Sequence, residues 1–358
     1  MKIMHIVGNR PQFIKLAVLY PELVRHHQPG IIVHTGQHFD PNMSRVFFGE
    51  LQLPDPNYDL GINQLPRDLM IATMTTELDK VLGKEKPDLV IVYGDTNSTL
   101  AGAIAARKRK IMLAHIEAGI RTGDEKMPEE TNRCIADRLA DLNFCCTSSG
   151  VENLKAEGIF NDNEQSRAYL SGDLMLDAVR VFGPQSLAKQ PDCLPSQGKG
   201  FILATIHRQE NNEDPKNLRN IIDALNKLHQ ETPVIFPVHP KTRSMLDKNN
   251  IALEICSCEP LGYFDMLNVL QKASAVITDS GGLSRESFFF KKPTLVLMQK
   301  PFWPELFVHG NCLPSSALCD QILSQYHALS RSDKPFNVDI FGNGHAAENI
   351  SSILLSNS

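Results

Sequence analysis

Three acids in the first half of the chain, Asp95, Glu117 and Glu129 with Glu130 beside it, have the types and positions that acid–base catalysis uses. Asp95 and Glu117 close short apolar runs, Leu89 to Gly94 and Met112 to Ile116, so they stand where buried strands end. Carboxylates gathered at such edges can have raised pKa values and trade protons near neutrality. Singly, each reads more readily as an ordinary helix cap or surface acid; together, opposite a phosphate-binding half, they suggest acid–base chemistry. The second half carries a different chemistry. In Asp279-Ser280-Gly281-Gly282 a strand ends, two glycines let a backbone approach closely, and a helix begins. Such a turn cradles a diphosphate with N–H groups, or is a tight turn with Ser280 as N-cap. Glu286, about one turn further, suits ribose hydroxyls. His207-Arg208 and His239-Pro240-Lys241-Thr242-Arg243 also close strands, and their cations suit a departing diphosphate. Near the N-terminus Arg10 and Lys15 surround a helix start marked by Pro11, where the dipole and free N–H groups favour an anion.

The elements that must position these residues are legible from their runs. Ile3–Val7, Ile31–Val33, Leu89–Val92, Met112–Ala114, Phe201–Ile206, Val234–Val238 and Ala275–Thr278 are short apolar stretches separated by helical patterns. That is the signature of buried parallel strands in an α/β protein, whose ligands sit at the carboxyl edge of the sheet. With 358 residues the chain exceeds one ordinary core. Gly183-Pro184, Pro191-Asp192, Pro195-Ser196 and Gly198-Lys199-Gly200 read as loose punctuation and place a domain boundary near residues 170–200. The tail reads as an amphipathic helix on Ala346, Ala347, Ile350, Ile353 and Leu354. Two doubly wound halves with a cleft between them are the simplest architecture. The net charge of -5 argues against a nucleic-acid partner. No run approaches the ~18 apolar residues of a membrane span, and no signal peptide opens the chain, so a cytoplasmic location is expected. Eight cysteines without C-x-x-C spacing read as reduced thiols. The absence of H-E-x-x-H and G-x-G-x-x-G predicts neither a zinc site nor a nicotinamide site.

Several ordered motifs carry a resemblance. They are Gly8-x-Arg10-Pro11-x-x-x-Lys15, Tyr93-Gly94-Asp95-Thr96, His115-Ile116-Glu117-Ala118-Gly119-x-Arg121-Thr122 and Pro128-Glu129-Glu130-x-Asn132-Arg133, followed by His207-Arg208-x-Glu210-Asn211, Thr278-Asp279-Ser280-Gly281-Gly282 and Gly342-x-Gly344. Across nearly its whole length the chain resembles the non-hydrolysing UDP-N-acetylglucosamine 2-epimerases. The resemblance implies two Rossmann-like domains of glycosyltransferase-B type with an interdomain cleft. Residues 1–175 would carry the acid–base groups, 176–340 would bind UDP, and 341–358 would return as a helix to the first domain. It implies a homodimer, no metal and no cofactor, and a UDP-linked N-acetylated sugar as substrate, used in surface polysaccharide synthesis. In that chemistry UDP leaves C1 as the C2 proton is removed, giving a 2-acetamidoglucal. UDP then adds back after C2 is reprotonated on the other face. By motif, Asp95, Glu117 and Glu129 are the acid–base residues and His207 assists the leaving group. Arg10, Lys15, Arg121, Arg208, His239, Ser280, Gly281, Gly282 and Glu286 would bind the substrate, with residues 259–267 bordering the uracil.

The departures bear on the substrate. Ser284-Arg285 stand where the family often has a Gln-Glu pair before Glu286, and Met298 to Glu305 replaces an arginine- and threonine-rich loop. Gln37-His38-Phe39-Asp40 and Gln209 lack basic residues associated with a regulatory second UDP-sugar, so such activation is not expected. Both UDP-N-acetylglucosamine and modified analogues such as UDP-2,3-diacetamido-glucuronic acid therefore stand as substrates, a C6 carboxylate being matched by Arg121 or Lys126. A hydrolysing 2-epimerase, a UDP-sugar glycosyltransferase and a non-catalytic UDP-sugar sensor are the rival readings.

Overall fold

The structure, a computed structural model of the chain, describes residues 1–37, 47–124, 126–160, 168–195, 200–298, 302–331 and 334–357. His38-Phe39-Asp40, residues 196–199 of the loose stretch and residues 299–301 of the substituted loop lie outside the described residues. The chain divides into two compact units, Met1–Ala178 with Asp339–Ser358, and Val179–Val338.

The first unit is built on β1 (Ile3–Val7), β2 (Ile31–His34), β3 (Tyr58–Asp59), β4 (Leu89–Tyr93), β5 (Met112–Ile116), β6 (Leu142–Cys145) and β7 (Ala168–Leu170). They lie side by side in the order β3-β2-β1-β4-β5-β6-β7, every pair parallel. All residues of β1 and β4 are buried, as expected for parallel strands covered on both faces. The covering helices are α1 (Arg10–Arg25), α2 (Arg67–Glu85), α3 (Asn97–Lys108), α4 (Pro128–Leu139) and α5 (Ser148–Ala156), and α6 (Leu174–Ser186) carries the chain out of the unit. Met4, Ile6, Val90 and Val92 of the sheet pack against Met74, Leu78 and the small residues Ala101 and Ala105. Thr96 starts α3 with a capping box shared with Thr99, which fixes where the helix begins relative to Asp95.

The second unit repeats the plan with β8 (Ile202–Thr205), β9 (Val234–Pro237), β10 (Cys256–Cys258), β11 (Ala275–Thr278), β12 (Thr294–Val296) and β13 (Cys312–Pro314). Its order is β10-β9-β8-β11-β12-β13, again wholly parallel. Helices α7 (Gln209–Asn212), α8 (Pro215–Glu231), α9 (Pro240–Lys248), α10 (Tyr263–Lys272), α11 (Gly281–Phe289) and α12 (Cys319–Ser330) surround it. In each unit the strand order reverses once, between β1 and β4 and between β8 and β11. Ligands of doubly wound sheets bind at the carboxyl ends beside that reversal.

The last helix, α13 (Ala346–Ser356), belongs to the first unit and packs against α1. Ala346, Ala347, Ile350 and Leu354 are buried as the periodicity predicts, while Ile353 is half-buried. The helix has no side-chain cap of its own. Instead Asp177 of α6 accepts from the amides of Ala346 (3.1 Å) and Ala347 (2.8 Å). Burial pushes the Asp177 carboxyl up, and those amides pull it back down.

One sequence expectation is corrected. Gly183-Pro184 are not loose punctuation but lie inside α6. The Gly183 carbonyl accepts from Ser186 Oγ (2.7 Å) and Gln271 Nε2 (3.0 Å), and Phe182 is buried, so packing holds the helix through the proline. Among the described residues all eight cysteines are free.

Gly119 is at φ +79, and a Cβ there would lie 2.2 Å from the Gly150 carbonyl oxygen. Both the left-handed backbone and the close approach demand glycine. Gly119→Ala is expected to lower unfolding free energy by about 2–4 kcal/mol. Urea denaturation of the two proteins checks this, and equal midpoints would refute it.

Candidate active site

In the first unit the loops after β1 and β4 are tied together by one side chain. Gln12 Nε2 donates to the Tyr93 carbonyl (2.7 Å) and to the hydroxyls of Thr96 and Thr99 (both 3.0 Å), while its Oε1 accepts from Gly8 N–H (2.6 Å). Sequence reasoning passed over Gln12, which only its position between Pro11 and Lys15 could have flagged. Lys15 points inward from α1, is 3 % exposed, and forms an ion pair with Glu117. Gly94, at φ +63, leaves room for this ammonium, which lies 3.6 Å from where a Cβ would stand.

Glu117 has φ +70, an uncommon backbone for a glutamate and a cost of roughly 1–3 kcal/mol. Its amide and that of Ala118 both donate to the Phe144 carbonyl (3.0 Å each), which holds the turn closed. Asp95 is paired with the buried guanidinium of Arg133, whose Nη1 also donates to Glu130 (2.6 Å). Burial alone would lower the Arg133 pKa, but the charges of Asp95, Glu130 and Glu117 raise it. Asn132 Nδ2 donates to the Asp95 carbonyl (2.9 Å), so α4 holds both ends of that residue.

The two neighbouring glutamates divide sharply. Glu130 is buried and accepts from the amides of Thr122 and Gly123 and the Thr122 hydroxyl. Glu129, in the first turn of α4, is exposed. Arg121 is committed to carboxylates of its own unit, Asp137 (2.7 Å) and Glu157 (2.5 Å). Glu117, Cys146 and Asp173 bring ligand atoms within 4.8 Å of one another. The Lys15 ammonium already neutralises Glu117, which works against a divalent cation at the same oxygens.

In the second unit the organising group is Asp279, wholly buried at the end of β11. It accepts from the amides of His207 (3.1 Å) and Arg208 (3.0 Å) and from Asn211 Nδ2 (3.1 Å), and its Oδ1 lies 3.2 Å from His207 Nδ1. Thr205 and Thr278 hydroxyls meet across the adjoining strand ends at 2.7 Å. The sequence marked Asp279 only as the first letter of a turn. Its partners lie about seventy residues upstream, too far for spacing to reveal them.

Arg208 donates from Nε to the Asp279 carbonyl (2.9 Å) and lies over the Phe302 ring at 4.8 Å. Arg285 lies over Trp303 at 4.2 Å. The loop that departs from the expected arginine and threonines therefore supplies aromatic faces to two arginines. Ser280 caps α11 by accepting from Leu283 N–H (3.2 Å), leaving Gly281 and Gly282 as its first residues. The opening amides of a helix have no intrahelical partner and suit an anion. Glu286 lies buried further along the helix. His239 caps α9 and is exposed. Partial desolvation of its ring lowers its pKa, with the charges of His207 and Lys241 adding to the shift.

Comparison with known proteins decides the family. The model of the family described as UDP-N-acetylglucosamine 2-epimerase matches residues 22–355. The chain belongs to the UDP-N-acetylglucosamine 2-epimerase family. Across 99 % of both chains it is 41 % identical to UDP-2,3-diacetamido-2,3-dideoxy-D-glucuronate 2-epimerase of Pseudomonas aeruginosa. It superposes on UDP-GlcNAc 2-epimerase of Methanocaldococcus jannaschii, solved with UDP-GlcNAc and UDP, with a TM-score of 0.91 at 33 % identity, covering 99 % of this chain and 100 % of that one. A spinosyn rhamnosyltransferase shares the fold alone, at TM-score 0.52 and 14 % identity, with 99 % and 96 % of the chains covered. The α/β fold of two doubly wound, Rossmann-like units and the assignment as an epimerase, an isomerase, follow from the sheets and the family. Among the described residues no helix is long and apolar enough to cross a membrane.

Proposed function

We propose that the enzyme inverts C2 of UDP-2,3-diacetamido-2,3-dideoxy-D-glucuronate, without hydrolysis and through a 2-acetamidoglucal. The substrate rests on the 41 % identity to the Pseudomonas aeruginosa enzyme over 99 % of both chains. The related structure with bound UDP-GlcNAc makes UDP-N-acetylglucosamine the second candidate.

The observation that carries the chemistry is the pairing of Glu117 with Lys15 and of Asp95 with Arg133 at the reversal of the first sheet. The C2 hydrogen is not next to a carbonyl, so a base alone meets a poor acid. Breaking C1–O as that proton leaves gives C1 oxocarbenium character and makes the hydrogen acidic. The C2–H electrons form the C1=C2 bond, the C1–O electrons leave with UDP, and the proton passes to a carboxylate. Asp95 and Glu117, each paired with a buried cation, are the candidates for that step. Glu129, exposed in the first turn of α4, is the third acid–base group. On the second unit His207, Arg208, His239 and the Ser280-Gly281-Gly282 turn take the diphosphate, and Glu286 takes the ribose. Arg10, in cation–π contact with the Phe47 ring at 4.9 Å, and Lys15 complete the substrate set. Arg121 enters it as the group that shapes the Glu117 loop. A cytoplasmic homodimer serving surface polysaccharide synthesis, with no cofactor, completes the proposal.

Incubation with each UDP-sugar in D2O, followed by NMR, tests it. Deuterium at C2 together with the C2 epimer, faster for the diacetamido-glucuronate, is expected. Free sugar plus UDP would move the protein to hydrolysis, and UDP binding without exchange would leave a transferase or a sensor.

A further inference from the structure

His115 is wholly buried at the end of β5, and both of its ring nitrogens have oxygen partners. Nδ1 lies 2.7 Å from Asp137 Oδ1, and Nε2 lies 2.6 Å from the Gly94 carbonyl. A carbonyl oxygen can only accept. The Asp137 carboxylate is already the acceptor for Gly119 N–H (3.2 Å) and Arg121 Nη1 (2.7 Å), so it too is acceptor-only. A neutral imidazole has one N–H and one lone pair, and either tautomer here would aim a lone pair at an oxygen lone pair. Both nitrogens must therefore carry hydrogen.

We propose that His115 is held as a buried imidazolium and is the positioning residue that locks the Asp95 turn to the Glu117 turn. The Gly94 carbonyl belongs to the peptide bond leading into Asp95, and that turn needs φ +63. Through Asp137 the same ring reaches the Gly119 amide, two residues past Glu117 with its φ of +70. One cation thus joins the two left-handed turns that present the acid–base pair. The charged and polar groups around it are accounted for element by element. Val92 of β4 and Asn143 of β6 are its strand neighbours, and Asn143 Nδ2 donates to the Asp137 carbonyl (3.1 Å). Helix α4 supplies Asp137, the loop after β5 supplies Arg121, and Glu157 beyond α5 pairs with Arg121. Cys134 and Cys145 stand in the field of Asp137. The cations His115 and Arg121 are matched by Asp137 and Glu157, the latter also pairing with the exposed Arg138 of α4 (3.3 Å), and this matching is what makes a buried cation tolerable.

The structural claim is independent of the proposed reaction, while its kinetic consequence rests on that reaction. The first test is a proton–nitrogen NMR correlation on the full chain labelled with [15N]histidine. One ring should show two N–H correlations protected from exchange, one for each oxygen partner. His115→Gln should remove both. A single N–H on that ring overturns the proposal. The second test is kinetic. His115→Gln should lower kcat by about 10²-fold with KM little changed, because the two carboxylates are misplaced while the UDP groups are untouched. Wild-type kcat in that variant also overturns the proposal. If the wild-type protein shows no C2 exchange, the reaction assignment falls, and the NMR result still decides the state of His115.

Discussion

Glu117→Gln lowers kcat by about 10³-fold and also destabilises the fold. Under the proposed mechanism the kinetic loss is that of one general acid–base group, for which 10²–10⁴-fold is usual. The stability loss has a separate cause. Lys15 and Glu117 side chains are 4 % and 10 % exposed, and each is the other's counter-charge. Removing one partner of a buried pair costs about 3–5 kcal/mol because the remaining charge is stranded. Glutamine preserves shape and the φ +70 turn, so strain is not what changes. Lys15→Met combined with Glu117→Gln removes both charges, and most of the lost stability should return while activity stays absent. Urea denaturation of the two single variants and the double variant gives the coupling energy. C2 exchange in D2O gives the rate. Additive stabilities would show that the pair does not stabilise the fold, and exchange at the wild-type rate in Glu117→Gln would remove Glu117 from the chemistry.

Asp279→Ala is expected to strike UDP binding and the second unit together. The buried carboxylate is the acceptor for the His207 and Arg208 amides and the Asn211 amide group. Alanine strands these donors at about 1–3 kcal/mol each, so a loss of roughly 3–5 kcal/mol in unfolding free energy follows after partial rescue by water. The loop that carries His207 and Arg208 then loses its fixed course. Affinity for UDP should fall by about 10²-fold, close to 2.7 kcal/mol. Asp279→Asn keeps one acceptor oxygen and should fall between. Calorimetric titration with UDP, on protein shown to be folded by its thermal transition, makes the measurement. A folded Asp279→Ala protein with unchanged UDP affinity would mean the loop is held by other contacts.

The residues that announce themselves in the sequence are those that follow buried, mostly apolar strands. Gly8 to Arg10, Gly94-Asp95, Glu117, His207-Arg208 and Asp279 to Gly282 all stand at the ends of β1, β4, β5, β8 and β11, because a buried parallel strand has an unmistakable composition. Strands β3, β6, β7, β12 and β13 are not legible in the sequence, because they are short and no longer apolar run surrounds them, as Phe201–Ile206 surrounds β8 and Val234–Val238 surrounds β9. The adjacent Glu129 and Glu130 are alike as letters, and only the placement of the 122–123 amides separates the buried one from the exposed one. Arg121 looked available for a substrate carboxylate, but its partners Asp137 and Glu157 lie 16 and 36 residues away. Pairings over such distances leave no local pattern. The proline within α6 misled because its compensation comes from Gln271, on α10.

The division of the first unit into Met1–Ala178 and Asp339–Ser358 bears on how the polypeptide is made. A ribosome delivers α13 after the second unit, so Asp177 waits through synthesis of that entire unit before the amides of Ala346 and Ala347 arrive. The second unit, continuous in sequence, can close while the chain is still being extended. The unit that bears the carboxylates proposed for acid–base work cannot. A premature stop near residue 340 would thus yield a polypeptide with every proposed catalytic side chain present and one domain permanently unfinished.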